Sequence, residues 1–368
     1  MNSPKRRILL IFGGRSAEHE ISIHSARSVA AALNPSKFEI LPLYVDRHGR
    51  WENPSVSNTV LMPHNSTGNG RGSLEQTQHG NSNSMVLSST SSPAILNMLD
   101  GIDVVLPLVH GPYGEDGTLQ GTLELAGIPY VGSGVLGSAM GMDKHIAKMV
   151  LRTAGIPVVD WLLIEQHEWE ADRCQWENTC LGQIGFPCFV KPVNLGSSVG
   201  VHKVQKLAAL SDALNDAFRY DLRVIIEPAI NPLREVECAV LGLHAIDVSV
   251  CGEVTTRREF YDYTAKYADD ETTLTIPANL PPEVSERIRD LSRRTFRALS
   301  LAGMARVDFF VSNTNVYVNE VNTIPGFTEK SMYPKLWEAS GVPYAMLLER
   351  LIDLAIERYK ERRRLAVH

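Results

Sequence analysis

The chain has no run of ~18 apolar residues, so a membrane-spanning helix is not expected. Cysteine is scarce: five residues in 368, Cys174, Cys180, Cys188, Cys238 and Cys251, an odd number with no C-x-x-C pair. That excludes a disulfide framework and fits free thiols in a reducing, cytoplasmic setting. Positive charge is not in excess either, with Lys plus Arg 36 against Asp plus Glu 42 and a net charge of −6. A mildly acidic chain without a basic stripe argues against nucleic acid as the main partner. The run Lys360–Arg364 is basic, but it closes a long amphipathic pattern and reads as a solvated helix end. An internal repeat is also missing. What remains, 44% hydrophobic and 21% charged residues, is the composition of an ordinary enzyme. At 368 residues the chain exceeds one core and implies two or three domains.

The first apolar run, Ile8–Phe12, is too short for a leader and reads as a strand. It enters a Gly-rich turn, Gly13–Glu20, and then a helical pattern with Ile23, Ala26, Val29, Ala30 and Leu33 on one face. Phe38–Val45 is the next strand, so a parallel β-α-β start is expected. Residues 53–93 are dense in Asn, Ser, Gly and Thr, and read as a surface insertion; His64 and His79 inside it are isolated. Val104–Val109 is a buried strand running into His110–Gly117. Ligands of open α/β sheets sit beyond the carboxyl ends of strands. Both Gly-rich loops leave strands there, each with acids and a histidine, which fits a small polar or zwitterionic ligand or two tight solvated turns.

Tyr130–Ser138 reads as a turn-rich link, followed by a helix from Met142 to about Thr153. Charged residues 166–177 read as surface helix. Phe186–Val190 is a strand leading to Lys191 and the loop Gly196-Ser197-Ser198-Val199-Gly200. Backbone N–H groups, the Ser197 and Ser198 hydroxyls and the lysine charge together suit a phosphate, although a hairpin turn has the same composition. Strands are expected at Val224–Pro228 and Glu235–Leu243, a polar aromatic lid at Glu259–Glu271, and helices at Pro281–Leu301 and Tyr344–Arg362.

The densest signal is Met304–Gly326. Two Val- and Phe-rich runs flank Ser312-Asn313-Thr314-Asn315, a β-hairpin pattern. With a three-residue loop centred on Thr314, Asp308 faces Glu320 and Arg306 faces Asn322, all on one face. Val307, Phe309, Val311, Tyr317 and Val321 would form the core side. Opposed carboxylates repel, so a cation between them is one reading. Oxygen-only donors suit Mg²⁺ or Mn²⁺. A solvated face with an Arg–carboxylate pair is the other reading.

In order along the chain, G-G-x-S-A-E-x-E, H-G-x-x-G-E-D-G, M-D-K, V-K-P…G-S-S-V-G, Y-D-Y-x-x-K-Y and D…N-E-V-N-T-x-P-G resemble the D-alanine–D-alanine ligases of the ATP-grasp superfamily. The likeness covers nearly everything outside 53–93. It implies an α/β (α+β) chain with an ATP-grasp fold: an N-terminal α/β parallel-sheet domain (1–137), a central ATP-grasp subdomain (138–228), and a C-terminal one (229–368) carrying the hairpin and lid. It also implies ATP-dependent ligation of two D-alanines through an acyl phosphate, for peptidoglycan precursor synthesis in the cytoplasm, by a homodimer.

Carried over residue by residue, the resemblance makes Asp308, Glu320 and Asn322 the ligands of Mg²⁺ or Mn²⁺. Lys144, Lys191 and Ser198 would meet the ATP phosphates, and Glu227 and Glu235 the adenine and ribose. Arg306 and the Gly326 N–H would steady the oxyanion. Glu18 would hold the first D-alanine's ammonium, with His110 in the substrate loop, and Ser331 the second D-alanine's carboxylate. Ser197 and Tyr267 would form a hydrogen-bonded set with Glu18, and Lys266 would reach the transferred phosphate. The intact Tyr267 lid sequence implies a dipeptide product rather than D-alanyl-D-lactate. A different ATP-grasp ligase, or an inactive nucleotide-binding regulator, shares parts of this pattern.

Overall fold

The computed structural model describes residues 4–62, 99–256 and 272–365. Their strands form one parallel and two antiparallel sheets.

In the first sheet, β1 (Arg6–Gly13) lies between β2 (Phe38–Val45) and β3 (Val104–Pro107), all parallel. Both faces of β1 are covered, which is why its sequence is continuously apolar rather than alternating. Leu9 and Ile11 pack with Trp51, Leu119 and Leu123. Ile8, Leu10 and Phe12 share a core with Ala26 and Val29, and also with Leu241, Met304, Tyr333 and Leu347 from the far end of the chain. The first sheet is thus packed against the C-terminal part.

The second sheet is ordered β4 (Leu162–Glu165), β7 (Arg223–Pro228), β5 (Cys188–Pro192), β6 (His202–Val204). The helix Leu210–Ala217 covers it with Leu210, Ala213, Leu214 and Ala217, one helical stripe. The third sheet is ordered β10 (Thr272–Thr275), β9 (Ile246–Thr256), β8 (Arg234–Gly242), β11 (Gly303–Ser312), β12 (Asn315–Asn322). Helix Pro282–Ala298 backs it through Val284, Ile288, Leu291 and Phe296. Helix Lys144–Thr153 adds Ala147 and Leu151 to the same core, and Asp143 caps it by accepting from the Ile146 N–H at 2.9 Å.

Several expectations are corrected. The link Tyr130–Ser138 is not all turn: Val135–Met142 is a helix. The polar insertion begins as a helix, Pro54–Leu61, capped by Asn53, with Leu61 in the core. The surface segment 166–177 holds two helices, and its Trp169 is buried against Cys180 and Leu214. The rest of the insertion, with His64 and His79, and the lid segment with Lys266 and Tyr267 lie outside the described residues.

The hairpin register at its open end is as expected, Asp308 opposite Glu320 and Arg306 opposite Asn322, but for a different reason. Ser312 pairs with Asn315, so the loop has two residues, not three. A bulge at Asn319 then supplies the missing residue, between the Asp308–Glu320 and Phe309–Val318 pairs. Between turn and bulge the parity is therefore reversed. Val316 and Val318 enter the core, and Tyr317, expected there, takes the other face.

Candidate active site

Two adjoining cavities run between the second and third sheets and under the first. The larger, about 680 Å³, reaches from Glu18 and His110 to Ser331. The smaller, about 80 Å³, lies between the Lys191–Gly200 loop and the hairpin. Lys144, Leu195, Gly196, Glu237 and Glu320 line both, so the two form one cleft.

The N-terminal wall is built by backbone crowding. Gly13 has φ +95°, and a Cβ there would meet the Val45 carbonyl oxygen at 2.1 Å. At Gly114 a Cβ would meet the Val109 carbonyl oxygen at 2.1 Å. Buried Ser22 ties the two Gly-rich loops together: its Oγ accepts from the Gly13 N–H at 2.7 Å and donates to the Leu108 carbonyl at 2.6 Å. The His110 Nδ1–H donates to the Ile324 carbonyl at 2.9 Å. His110 Nε2 is buried with no partner among the described residues. Glu115 accepts from the Gly111 and Ile324 N–H groups, both at 2.8 Å, and from the Thr323 hydroxyl at 3.2 Å. Burial raises its carboxyl above the usual range, against the pull of His110 and these donors. One ligand atom each from Glu18, His110 and Glu115 lies within 4.8 Å of the others.

That trio has the size of a cation site, but Glu115 already spends both oxygens on backbone N–H groups. Glu18 and His110 Nε2, both lining the cavity, match donors of a primary ammonium. The hairpin offers an oxygen-only set. Asn322 donates its Nδ2–H to Asp308 Oδ2 at 2.9 Å, which leaves its Oδ1 for another partner. Asp308 receives the Arg306 guanidinium bidentately, both bonds at 2.7 Å. Glu320 Oε2 is 3.9 Å from Lys144 Nζ, whose ammonium also donates to the Leu195 carbonyl. Asp308 lines the small cavity, Asn322 the large one and Glu320 both.

Behind the hairpin is a buried charge cluster. Glu227, 2% exposed, is paired with Lys148 Nζ at 2.6 Å and Lys191 Nζ at 2.7 Å. Burial would raise the Glu227 carboxyl; the two ammonium groups overcome it and hold it at about 2. The lysines move in opposite directions. Burial wins at Lys148 and lowers it, whereas at Lys191 burial is outweighed by Glu227 and, beyond it, by Glu320 and Glu235. Lys191 also reaches Asn319 Oδ1 at 3.4 Å, so the bulge residue contacts the lysine.

The cleft therefore gathers Glu18, His110, Lys144, Ser197, Arg306, Glu320, Asn322, Gly326 and Ser331 in its large part. Lys191, Ser198, Glu235 and Asp308 line its small part. Glu227 lines neither of the two; it stands behind Lys191. Ser197 and Ser198 have φ of +52° and +57°, and the buried Ser197 Oγ has no partner among the described residues. Side chains rarely adopt that conformation, and strain of this kind concentrates at functional loops. Ser331 precedes helix Met332–Ala339, and its Oγ accepts from the Thr328 N–H at 3.2 Å. Sequence reading gave no role to Ser22, Glu115, Lys148 or Glu237. Glu115 stood inside a quoted motif; nothing in the sequence marked Lys148 or Glu237.

Family models described as D-ala D-ala ligase N-terminus and D-ala D-ala ligase C-terminus match residues 7–133 and 150–353. The chain is 48% identical to a D-alanine–D-alanine ligase of Deinococcus radiodurans, over 96% of this chain and 99% of the relative. It is 42% identical to one of Geobacillus thermodenitrificans, over 97% of each. Among solved structures, the D-alanine-D-alanine ligase from Coxiella burnetii superposes with a TM-score of 0.78 at 36% identity, covering 98% of this chain and 97% of that one. The VanG D-Ala:D-Ser ligase from Enterococcus faecalis gives 0.79 at 34%, covering 96% and 100%.

Proposed function

The chain belongs to the D-alanine–D-alanine ligase family, and from that premise we propose how its cleft makes the dipeptide. The enzyme joins two D-alanines. ATP is the co-substrate. A carboxylate oxygen of the first D-alanine attacks the γ-phosphorus and ADP leaves. The amine of the second then attacks the acyl phosphate carbon, and the tetrahedral intermediate collapses with loss of phosphate.

One observation carries the assignment of roles: an ammonium-sized acceptor cluster, a cationic pair and an oxygen-donor hairpin open onto a single cleft. Glu18 and the His110 Nε2 position receive the first D-alanine's ammonium, with Glu115 holding the histidine loop to Ile324. A carboxylate there favours a substrate that brings an ammonium charge over an acid that lacks one. Lys144, Lys191 and Ser198 hold the nucleotide phosphates, with Glu235 at the nucleotide's other end; Glu227 acts on ATP by orienting Lys191. Asp308, Glu320 and Asn322 hold Mg²⁺ or Mn²⁺, which when bound supplies charge neutralisation between phosphate and carboxylate.

Arg306 and the Gly326 N–H face the developing oxyanion. A side chain at Gly326 would press on Ser331 Oγ at 3.0 Å, so glycine keeps this approach open. Ser331, at a helix N-terminus, suits the second D-alanine's carboxylate. Tyr267, completing a set with Glu18 and Ser197, and Lys266, on the transferred phosphate, are assigned through the resemblance; the buried Ser197 Oγ is where such a partner would arrive. The same resemblance, with the scattered free thiols, supports a cytoplasmic homodimer feeding peptidoglycan synthesis. Among the described residues no helix is long and apolar enough to cross a membrane.

The test is ADP release with D-alanine against L-alanine, and product identity at neutral pH when D-lactate competes. Release with D-alanine alone and a dipeptide product are expected. Equal turnover of L-alanine, or mostly depsipeptide, overturns the reading.

A further inference from the structure

We propose that Glu237 is a positioning residue for Arg306: it holds the guanidinium on its catalytic line when the metal draws on Asp308. The inference rests on the reading of Arg306 given above. Arg306 Nε donates its one hydrogen to Asp308 Oδ1 at 2.7 Å and lies 2.9 Å from Glu237 Oε2 as an ion pair, so two carboxylates flank the guanidinium. The two carboxylates come from adjacent antiparallel strands, since Glu237 on β8 pairs with Asp308 on β11. All three side chains are largely withdrawn from solvent, 16% exposed for Arg306, 10% for Glu237 and 12% for Asp308. At such a site a close counter-charge is weakly screened, and Glu237 stands ready to take the Nε–H when Asp308 turns to another partner.

Asp308 has two claims on it. In the structure both its oxygens accept from Arg306, and in the loaded enzyme it would also be a ligand of the divalent cation. A carboxylate polarised by a dication is a weaker acceptor for a guanidinium. Glu237 lies on the neighbouring strand, outside the hairpin donor set, and keeps its hold when that shift occurs. Without it Arg306 has two faults: it loses its aim, and it competes with the metal for Asp308.

These consequences separate positioning from mere packing. In the full-length enzyme, Glu237→Gln is expected to lower kcat ~10- to 100-fold, with KM for ATP changed less than ~3-fold, because the lost contact acts on the transition state. Mg²⁺ affinity, read by titration calorimetry with ATP in the absence of D-alanine as well as from turnover, is expected to fall several-fold. Glu237→Asp, which keeps the charge but withdraws it, is expected to fall between the two enzymes; it also decides the matter if the glutamine variant fails to fold. In an Arg306→Ala background, itself strongly impaired, Glu237→Gln is expected to change kcat less than ~2-fold, since both act as one unit. Wild-type kcat and Mg²⁺ dependence in Glu237→Gln, or an undiminished penalty in the Arg306→Ala background, overturn the positioning role alone. Near-normal turnover of Arg306→Ala overturns it together with the reading of Arg306.

Discussion

Replacing Glu227 by glutamine should remove the charge that two buried lysines share. The carboxyl is held at about 2 instead of 4.5, against a burial effect of opposite sign. At ~1.4 kcal/mol for each pH unit, the difference is worth about 3 kcal/mol of stability at neutral pH. Loss of one partner from a buried ion pair typically costs ~3–5 kcal/mol, so the two routes agree. The direction with pH follows from the depressed value. The stabilisation is complete above pH 4.5 and is lost as pH falls toward 2.

Urea denaturation at a series of pH values measures this. The gap between wild type and Glu227→Gln should be about 3 kcal/mol at pH 7 and should narrow steadily below pH ~5. Adding Lys148→Met should restore part of the loss, because one ammonium fewer is then buried without a counter-charge. Since Lys191 also leans on Glu227 at 2.7 Å, KM for ATP should rise several-fold in Glu227→Gln. A gap below ~0.5 kcal/mol at pH 7, or one that ignores pH, refutes the account of the triad.

Three further outcomes are expected. Glu320→Gln should keep its circular dichroism spectrum and lose at least ~100-fold in turnover, with a raised Mg²⁺ requirement; near-normal turnover would remove the hairpin from metal binding. Gly114→Ala should cost ~1–3 kcal/mol, since its methyl would sit 2.1 Å from a backbone oxygen that cannot swing away. By displacing His110 and Glu115 it should raise KM for D-alanine more than KM for ATP, which steady-state kinetics reads directly. Glu115 takes up its proton above the ordinary carboxylate range, so KM for D-alanine should climb on the acidic side before other carboxylates titrate. Glu115→Gln should show a high KM throughout and lack that limb.

The hairpin was legible in the sequence because its determinants are local. A turn cluster and strands of period two fix which side chains face one another, and Asp308, Glu320, Arg306 and Asn322 could be paired on that basis. Even there the turn length was misread, because the compensating bulge at Asn319 depends on strand pairing rather than composition. The Lys191–Gly200 loop and the two Gly-rich loops were visible for the same local reason, as strand ends followed by glycines. Glycine at 13 and 114 is demanded by backbone crowding that the sequence only hints at.

Composition, periodicity and motif order by themselves determined the fold class, many of the strands and helices, and which residue types carry the chemistry. Folding alone decided which of them meet. Glu115 holds the N–H of Ile324 across 209 residues. Lys191 and Glu227 close on Lys148 from separate strands and a helix, and Glu237 reaches Arg306 across a strand pair. No local rule places such partners, because their cost and their reward lie in burial: a charge withdrawn from water must find its counter-charge, and only the packed chain shows where.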